Sequence, residues 1–435
     1  MAALGPFEEG PVLAVGVSGG PDSMALCALS HDWARRRGGR VVALVVDHRL
    51  RPESGDEARR VCGWLDNLGV ENMLLTRQGP DIHAAIHATA RAARYDLMGG
   101  YCRDRGILHL LLGHHRDDQA ETMLLRLDRA SGLDGLAAMA AINEDAAGVD
   151  GLRLLRPLLA VPMARLRAVP AARGLPFVDD PSNRDPAYGR ARMRLLAPVL
   201  AADGVTPERL ARTAAALGRA RCVLESAAAD FLAAAVTIHP AGFCRLQGKA
   251  YRAAPAEIAR RSLGRMLLCI GGAAYAPRGD RLLRLHEALA GGDFKAARTL
   301  GGCRILPGRR GILVCREPQA ETGTISLQGG GQALWDGRFL IRSSAAAGPV
   351  TVRRLDRAVW VRIPKEERQV RAKMLAPAVR SSLPAFCDLD GVVAVPHLRY
   401  MRRDNGAGKE GVYSAEFRPA RVLSPAAFAF AGTAG

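Results

Sequence analysis

The sequence predicts an α/β protein in which a parallel sheet covered by helices is followed by a helical domain and a small β-containing C-terminal domain. Three observations support this fold class. Continuously apolar runs of strand length alternate with segments of helical periodicity as far as residue 203, as expected for βαβ units. Polar motifs directly follow the apolar runs, at the edge where open α/β sheets bind ligands. Beyond residue 204 the pattern changes to Ala-, Leu- and Arg-rich helical segments and then to short strand-length runs.

The overall composition indicates a globular protein with a polyanionic partner. The 435 residues, 49% of them hydrophobic, suffice for packed cores and suggest about three domains. The formal net charge of +18 exceeds what solubility requires, and nucleic acid is the leading candidate partner. Aromatic residues make up only 5% of the chain, which argues against binding dominated by base stacking on an aromatic platform.

The cysteines and the apolar segments predict a cytoplasmic protein. The nine cysteines are scattered, form no Cys-x-x-Cys pair and have no histidine beside them at zinc spacing. They are typical of reduced core residues. The N-terminus lacks the basic start and apolar core of a signal peptide, and no uncharged apolar stretch reaches about 18 residues. We therefore expect no membrane association.

The most informative stretch is the apolar run Val12 to Val17, which ends in Ser18-Gly19-Gly20-Pro21-Asp22-Ser23. The run suits a strand buried on both faces, and a helix begins near Asp22. Two adjacent glycines let successive N–H groups point at one anion, while the helix N-terminus adds its positive dipole end. The segment therefore predicts a phosphate-binding loop, although it lacks the lysine of a Walker A motif.

The elements that follow are placed by apolar spacing and end signals. Apolar residues recur at helical spacing until Arg35-Arg36-Arg37-Gly38, cations and then glycine, as a helix C-terminus prefers. Ser54-Gly55-Asp56-Glu57 has the spacing of a capping box and begins the next helix. The remaining predicted elements are strands at Val41 to Val46, Met73 to Thr76, Ile107 to Leu112 and Pro176 to Val178, a long helix from Ile82 to Arg105, and a helix from about Met163 that Pro170 interrupts.

Two acidic motifs lie beyond the ends of the second and fourth predicted strands. Asp47-His48 follows the second strand, and Gly113 to Thr122 follows the fourth. In a helix that begins within this segment, Asp117 and Glu121 share one face and Asp118 lies on the next. Three carboxylates beside a nucleotide repel one another, so they predict Mg²⁺ bridging the phosphates, with Asp117 and Glu121 as ligands. The alternative is a helix N-terminus whose acidic residues only favour the dipole.

A turn and a basic run complete the predicted rim. Asp179 to Asn183 follows the short strand, and Arg190, Arg192 and Arg194 come soon after it. Only Arg190 and Arg194 are neighbours on a helix, and a solvated helix face is the alternative. The segment Gly406 to Gly411 matches a dinucleotide fingerprint, but it follows a polar stretch rather than a strand and predicts a flexible basic loop.

The second half of the chain predicts two further domains. Helical patterns cover about 207 to 236, 255 to 271 and 277 to 290, and strand-length runs separated by Pro-Gly and Asp-Gly follow. The predicted boundaries are an N-terminal catalytic domain at 1–203, a helical domain at 204–297, a β-containing region at 298–425 and a frayed tail at 426–435.

Taken together, the motifs resemble one family, the tRNA(Ile)-lysidine synthases of the PP-loop ATP pyrophosphatase superfamily, whose fold is adenine nucleotide alpha hydrolase-like. The matching segments are Ser18 to Ser23, Asp47 to Arg51, Ala90 to Tyr95, Gly113 to Thr122, Arg156 to Leu159 and Asp180 to Asn183. One departure is Ala191, where the family usually has asparagine between the arginines, and it weakens any role assigned to that segment.

The resemblance implies ATP-dependent joining of L-lysine to C2 of the cytidine at the first anticodon position, position 34, of the isoleucine tRNA with the CAU anticodon. AMP is first transferred to the C2 oxygen, and the lysine amine then displaces AMP. Region 298–425 is expected to bind the tRNA. The implied residues are Asp47, His48, Asp117, Asp118 and Glu121 for catalysis, Ser18, Gly19, Gly20, Pro21, Asp22, Ser23 and His114 for ATP, Asp117 and Glu121 for Mg²⁺, and Arg91, Arg94, Asp180, Asn183, Arg190 and Arg194 for the substrates.

A second PP-loop enzyme and a protein of a different functional class are the alternatives to this function. A PP-loop tRNA sulfurtransferase activates the same kind of oxygen but needs cysteines that carry sulfur or hold an iron–sulfur cluster, and the scattered cysteines argue against it. A non-catalytic RNA-binding protein with a relic nucleotide domain would need only the positive charge, and the intact acidic motifs argue against it. The sequence leaves open the oligomeric state, the tRNA contacts and the group that deprotonates lysine: a carboxylate, His48 or His114.

Overall fold

A computed structural model describes residues 1–49, 53–78, 86–144, 151–178, 189–273, 275–277, 279–292, 294–308, 310–318, 323–402, 412–425 and 428–429. The chain forms two compact units. The first comprises Met1–Glu225 together with Ala426–Gly435, and the second comprises Ser226–Pro425.

The first unit is built on a six-stranded sheet in the order β3-β2-β1-β4-β6-β5. All pairs are parallel except the antiparallel edge pair β5 and β6. The strands are β1 (Val12–Val17), β2 (Arg40–Asp47), β3 (Glu71–Thr76), β4 (His109–Leu112), β5 (Ile142–Asn143) and β6 (Arg153–Leu155). The helices are α1 (Pro21–Arg35), α2 (Ser54–Asn67), α3 (Ile86–Asp104), α4 (Arg116–Leu127), α5 (Leu133–Leu136), α6 (Met163–Arg173), α7 (Gly189–Ala202) and α8 (Pro207–Ala235), the last of which extends beyond the first unit.

Helices cover both faces of this sheet, which explains the continuous apolar runs in its strands. Leu13 and Val15 of β1 belong to the core that includes Met24 of α1, whereas Ala14 belongs to the core that includes Met98 of α3. Successive residues of a strand point to opposite faces, so a strand buried on both faces is apolar at every position. The predicted fold class is confirmed.

The structure differs from the predicted elements at the far edge of the sheet. Pro176 to Val178 is not a strand; Val178 instead donates one backbone hydrogen bond to the carbonyl of Gly19 at 2.9 Å. The edge is formed by the short strands β5 and β6, which were not predicted. Helix α6 continues through Pro170 to Arg173.

The second unit contains three antiparallel sheets in the orders β7-β8-β11-β10-β9, β12-β15-β16-β17-β18 and β13-β14-β19. Its strands are β7 (Val236–His239), β8 (Phe243–Leu246), β9 (Arg298–Leu300), β10 (Cys303–Leu306), β11 (Ile312–Arg316), β12 (Ile325–Leu327), β13 (Gln332–Trp335), β14 (Phe339–Ser343), β15 (Val350–Arg354), β16 (Pro384–Asp388), β17 (Gly391–Val395), β18 (Tyr400–Met401) and β19 (Tyr413–Phe417). Its helices are α9 (Gly248–Ala253), α10 (Ala256–Gly271), α11 (Gly279–Ala290), α12 (Arg357–Trp360), α13 (Lys365–Arg371) and α14 (Pro377–Arg380).

The compact units differ from the predicted domain boundaries for two physical reasons. The first turns of α8 pack Leu210 and Ala214 against Met123 of α4, so the first unit extends past residue 203 to Glu225. Strand β8, inside the predicted helical domain, pairs with β11 in the predicted β region. A shared sheet therefore joins 204–297 and 298–425 into one unit.

Two described residues of the predicted frayed tail, Phe428 and Ala429, are packed against the first unit. Phe428 is buried, and Ala429 forms an antiparallel bridge with Ile142 of β5. None of the helices among the described residues has the length and apolar character needed to cross a membrane. All nine cysteines are free thiols.

Candidate active site at the carboxyl edge of the first sheet

The loop after β1 has the geometry of an anion-binding turn. Gly19 adopts φ +83°, a region that L side chains rarely occupy, and a Cβ there would lie 2.6 Å from a methyl group of Val61. The Ser23 hydroxyl closes the loop: it donates to the carbonyl of Gly20 at 2.9 Å and accepts from the N–H of Ser18 at 3.2 Å. The first turn of α1 leaves N–H groups without intrahelical acceptors, so the loop can hold a phosphate group.

Two carboxylates repel each other at this edge of the sheet, Asp22 in the first turn of α1 and Asp118 in the first turn of α4. Burial raises the pKa of Asp22, and the charge of Asp118 raises it further, while His115 lowers it. Asp118 accepts the backbone N–H of His115 at 3.0 Å as part of a capping box. Among the described residues no three His, Cys, Asp or Glu side chains could together hold a metal ion. A cation here would need phosphate oxygens as further ligands.

Glu121, one turn further along α4, is held by an arginine. Arg194 of α7 donates through Nε to Oε1 of Glu121 at 2.5 Å, and its Nη2 lies 3.7 Å from Asp118. Burial raises the pKa of Glu121, and the hydrogen bond from Arg194 opposes that effect. Asp117 accepts the backbone N–H of Met163 through Oδ2 at 3.1 Å, whereas its Oδ1 is buried without a hydrogen-bond partner among the described residues.

A cavity of about 310 Å³ opens beside these carboxylates, between α4, α6, α7 and the start of α8. Its charged lining residues are Asp117, Glu121, Arg167 and Arg194, and its apolar lining includes Leu124, Met163, Met193, Leu200 and Leu210. Such a lining suits a ligand that combines an aliphatic part with ionic groups of both signs.

His114, two residues after β4, accepts a hydrogen bond from an arginine. Arg156 donates through Nε to Nδ1 of His114 at 3.3 Å. Since arginine can only donate, Nδ1 is the acceptor and the ring proton is on Nε2. Burial lowers the pKa of His114 well below its ordinary value, and four arginine charges lower it further. These arginines are Arg156, Arg190, Arg91 and Arg94, and together they favour an anion near His114.

Asp47 and His48, at the end of β2, have different surroundings. Asp47 accepts the backbone N–H of Arg49 at 2.9 Å and the Ser54 hydroxyl at 2.7 Å, both through Oδ1. These bonds fix the connection from β2 to α2. Burial lowers the pKa of His48, and Arg94 lowers it further. The Nδ1 atom of His48 is buried and has no hydrogen-bond partner in the described part of the chain.

The chain is similar in sequence to known proteins over most of its length. A family model described as a PP-loop domain matches residues 3–200. A tRNA(Ile)-lysidine synthase from Bradyrhizobium sp. strain BTAi1 is 42% identical over 299 residues, which cover 66% of this chain and 82% of that protein. Another, from the Wolbachia of Brugia malayi, is 32% identical over 399 residues and covers 90% of each chain. The chain belongs to the tRNA(Ile)-lysidine synthase family.

Membership of the tRNA(Ile)-lysidine synthase family confirms the resemblance drawn from the motifs and indicates that the domain at residues 3–200 binds ATP. Among solved structures, the chain is similar to the U34-tRNA thiolase NcsA from Methanococcus maripaludis with its 4Fe-4S cluster. It has a TM-score of 0.42 and 15% identity, covering 49% of this chain and 75% of that one.

The structure brings most of the predicted lysidine synthase residues to one edge of the sheet. Asp22 interacts electrostatically with Asp118 and Arg94, and Arg94 in turn with His48. Asp180 and Asn183 lie outside the described residues. Ala191, the departure from the family pattern, is a buried residue of α7.

Two residues of the site, Arg156 and Gln119, were not identified from the sequence. Arg156 was only part of a matching motif, and Gln119 had no assigned role. Arg156 comes directly after Leu154 and Leu155 of β6, as the rim residues of the other strands follow their strands. That position was the available signal. No sequence signal marked Gln119, because its hydrogen-bond partner Met139 lies 20 residues further along the chain.

Proposed function

We propose that this chain is a lysidine-forming ligase. It uses ATP to attach L-lysine to C2 of the cytidine at position 34 of the isoleucine tRNA with the CAU anticodon, and it releases AMP and pyrophosphate. One observation carries the proposal: the anion-binding loop at Ser18 to Ser23 includes Asp22, whose charge acts on Arg194 in the wall of a cavity that carries acidic and basic side chains.

In the first step the C2 oxygen of cytidine attacks the α-phosphorus of ATP, and the bond to the bridging oxygen of the β-phosphate breaks. The loop holds the departing pyrophosphate, because its N–H groups and the α1 dipole favour negative charge. The arginines around His114 stabilise charge on the transferred phosphate. AMP transfer turns the C2 oxygen into a good leaving group.

In the second step the lysine amine attacks C2, and AMP leaves with the former C2 oxygen. Lysine must first lose a proton, because its ammonium group has a pKa near 10.4 in water. His114 is a poor acceptor, since burial and four arginine charges lower its pKa. We assign the ammonium group to Oδ1 of Asp117, which accepts no hydrogen bond among the described residues and lies 3.6 Å from Nε of Arg116. We assign the proton to Glu121, whose raised pKa suits a base.

Mg²⁺ is part of the proposal, with ligands that differ from those predicted. Glu121 already holds Arg194, which makes it a poor metal ligand. Asp22 and Asp118 are two close carboxylates whose mutual repulsion a divalent cation relieves. When bound, Mg²⁺ supplies charge neutralisation at the ATP phosphates.

No observation favours the sulfurtransferase alternative. Six of the cysteines are buried: Cys27, Cys102, Cys244, Cys269, Cys303 and Cys315. Burial raises the pKa of Cys27 to about 12 and that of Cys269 to about 12. Thiols with such pKa values are not reactive nucleophiles near neutral pH. The proposal places the enzyme in the cytoplasm, where its tRNA substrate is found.

The test uses ATP labelled at the α-phosphate and the CAU tRNA without lysine. We expect label to accumulate on the tRNA as an adenylated intermediate and to be released as AMP when lysine is added. Label that never joins the tRNA, or that is released equally well by other amino acids, would contradict the proposal.

A further inference from the structure

The last described residues of the chain are built into the first unit beside the active site. The N–H of Ala141 donates to the carbonyl of Ala429 at 2.6 Å, and Ile142 pairs with Ala429 as an antiparallel bridge. Ala429 therefore continues the sheet beyond β5. We call residues 139–143, which include β5, the edge segment.

An ion pair on α8 anchors this contact. The N–H of Phe428 donates to Glu225 at 2.7 Å, and Arg221 donates to the other oxygen of Glu225, also at 2.7 Å. The Arg221 guanidinium also lies 4.2 Å from the centre of the Phe428 ring. Phe428 and Glu225 are both buried, so the charge of Glu225 is paired and hydrogen-bonded where solvent does not reach it.

The edge segment leads from this anchor to the active site. Its Ala140 carbonyl accepts a hydrogen bond from the Arg156 guanidinium at 2.7 Å, and its Ala141 carbonyl accepts the Arg156 backbone N–H at 2.8 Å. Arg156 in turn donates to Nδ1 of His114. On the other side, the Gln119 amide forms two hydrogen bonds with the backbone of Met139, at 2.8 and 3.0 Å.

We propose that Phe428 and Ala429 are positioning residues of the active site. Ala429 pairs with the edge segment, and Phe428 anchors Ala429 to α8. Together they hold the two carbonyl groups that orient Arg156 and, through Arg156, fix the tautomer of His114. The inference rests on the proposed function only for its activity assay.

The experiment compares the full chain with a variant that ends at Pro425 and with Phe428→Ala. Phe428→Tyr keeps a ring for Arg221, and Val422→Ala is the matched control because Val422 is half exposed and belongs to the second unit. We measure kcat and the KM for ATP in AMP transfer to tRNA. Long-range ¹H–¹⁵N spectra of histidine-labelled protein, assigned with His114→Gln, report the tautomer of His114.

We expect kcat to fall about tenfold or more in the shortened chain and in Phe428→Ala, because small displacements of active-site groups are costly. The KM for ATP is expected to stay near that of the full chain, since the loop lies on β1 and α1. The His114 signals should show a mixture of tautomers. Phe428→Tyr should restore both readouts, and Val422→Ala should change neither.

Full kcat together with an unchanged His114 spectrum in Phe428→Ala would overturn the inference, whether or not the shortened chain folds. A fall in kcat that Phe428→Tyr does not restore would also count against it. If the full chain transferred no AMP, the proposed function would fail, and the His114 spectrum would still decide the positioning role.

Discussion

Asp22 carries a charge where burial and the charge of Asp118 both disfavour it. Its pKa is higher in the folded chain than in the unfolded chain, so the folded state binds the proton more tightly. Stability therefore falls as the pH rises from the ordinary carboxyl pKa through the raised one. A buried charge that lowers stability is typical of a group that is kept for function.

The first prediction is that Asp22→Asn abolishes AMP transfer while raising the free energy of unfolding of the ligand-free protein by about 1 kcal/mol at pH 7. Thermal unfolding and AMP transfer measure the two effects. Asp32→Asn on the same helix is the control; its exposed pair with Arg173 contributes about 0.2–1 kcal/mol. An Asp22→Asn enzyme that is active, or less stable than the parent, would contradict the assignment.

A second prediction concerns the lysine cavity. Glu121→Gln removes the charge that pairs with Arg194 and, in our proposal, accepts the proton of lysine. We expect lysine transfer to slow about tenfold or more because the proton acceptor is lost. The KM for lysine should also rise, because hydrogen bonds to charged groups contribute about 1.5–3 kcal/mol. AMP transfer without lysine should persist. Glu208→Gln, an exposed change in the first turn of α8, is the control. An equal rise in the KM for ATP would move Glu121 from the lysine site to the nucleotide site.

At the scale of elements, the β1–α1 connection depends on the conformation of one glycine. Gly19→Ala places a Cβ in a disfavoured backbone region and 2.6 Å from Val61. We expect it to destabilise the protein by about 1–3 kcal/mol and to weaken ATP binding, as measured by denaturant unfolding and by titration with ATP.

Gly63→Ala in α2 is the matched control for this change. A Cβ at Gly63 would have no atom within 4 Å, so the substitution should stabilise the helix by up to about 1 kcal/mol. If Gly19→Ala bound ATP as well as Gly63→Ala does, the loop would not be the phosphate site.

The sequence predicts the central elements of the first unit because each carries its own local signal. β1 and β2 are apolar at nearly every position, since both faces of the sheet are covered. Short or non-local elements give no such signal. β6 has only three residues, and β8 pairs with β11, which lies more than 60 residues further along the chain.

The residues of the candidate site also divide into those with a local sequence signal and those without one. The loop at Ser18 to Ser23 and the acidic helix start at Asp117 are local patterns, so they could be read from the chain. Arg156 donates a hydrogen bond to His114, 42 residues away in the chain, and Phe428 donates one to Glu225, 203 residues away. Such contacts are set by the tertiary fold. The position of Arg156 after β6 marks the edge of the sheet but not the contact with His114, and no pattern marks Phe428.

At the scale of the whole molecule, the order of the two units along the chain and the net charge bear on how tRNA is bound. The second unit is inserted between Glu225 and Ala426 of the first. The net charge of +18 includes adjacent arginines at 353 and 354 on β15. We propose that the second unit uses such cations to bind tRNA phosphates while the first carries out the chemistry.

We therefore predict that changing Arg353 and Arg354 together to glutamine weakens tRNA binding and makes its salt dependence shallower. Each lost phosphate contact should reduce the slope of log affinity against log salt by about 0.7–0.9. Changing Arg35 and Arg36 to glutamine removes the same charge at the end of α1 remote from the loop. That pair should leave the slope nearly unchanged. Equal slopes for both double variants would show that only net charge matters.

The central claim, that this chain joins lysine to tRNA, is tested most directly with isotope-labelled lysine. The full chain is incubated with labelled lysine, ATP, Mg²⁺ and the CAU tRNA, and the purified RNA is counted. We predict covalent label on the RNA, AMP and pyrophosphate in equal amounts, and a rate that rises with pH through the neutral range as the amine loses its proton. Lysine that stays entirely free while ATP is cleaved, or while the tRNA gains sulfur, would contradict the account.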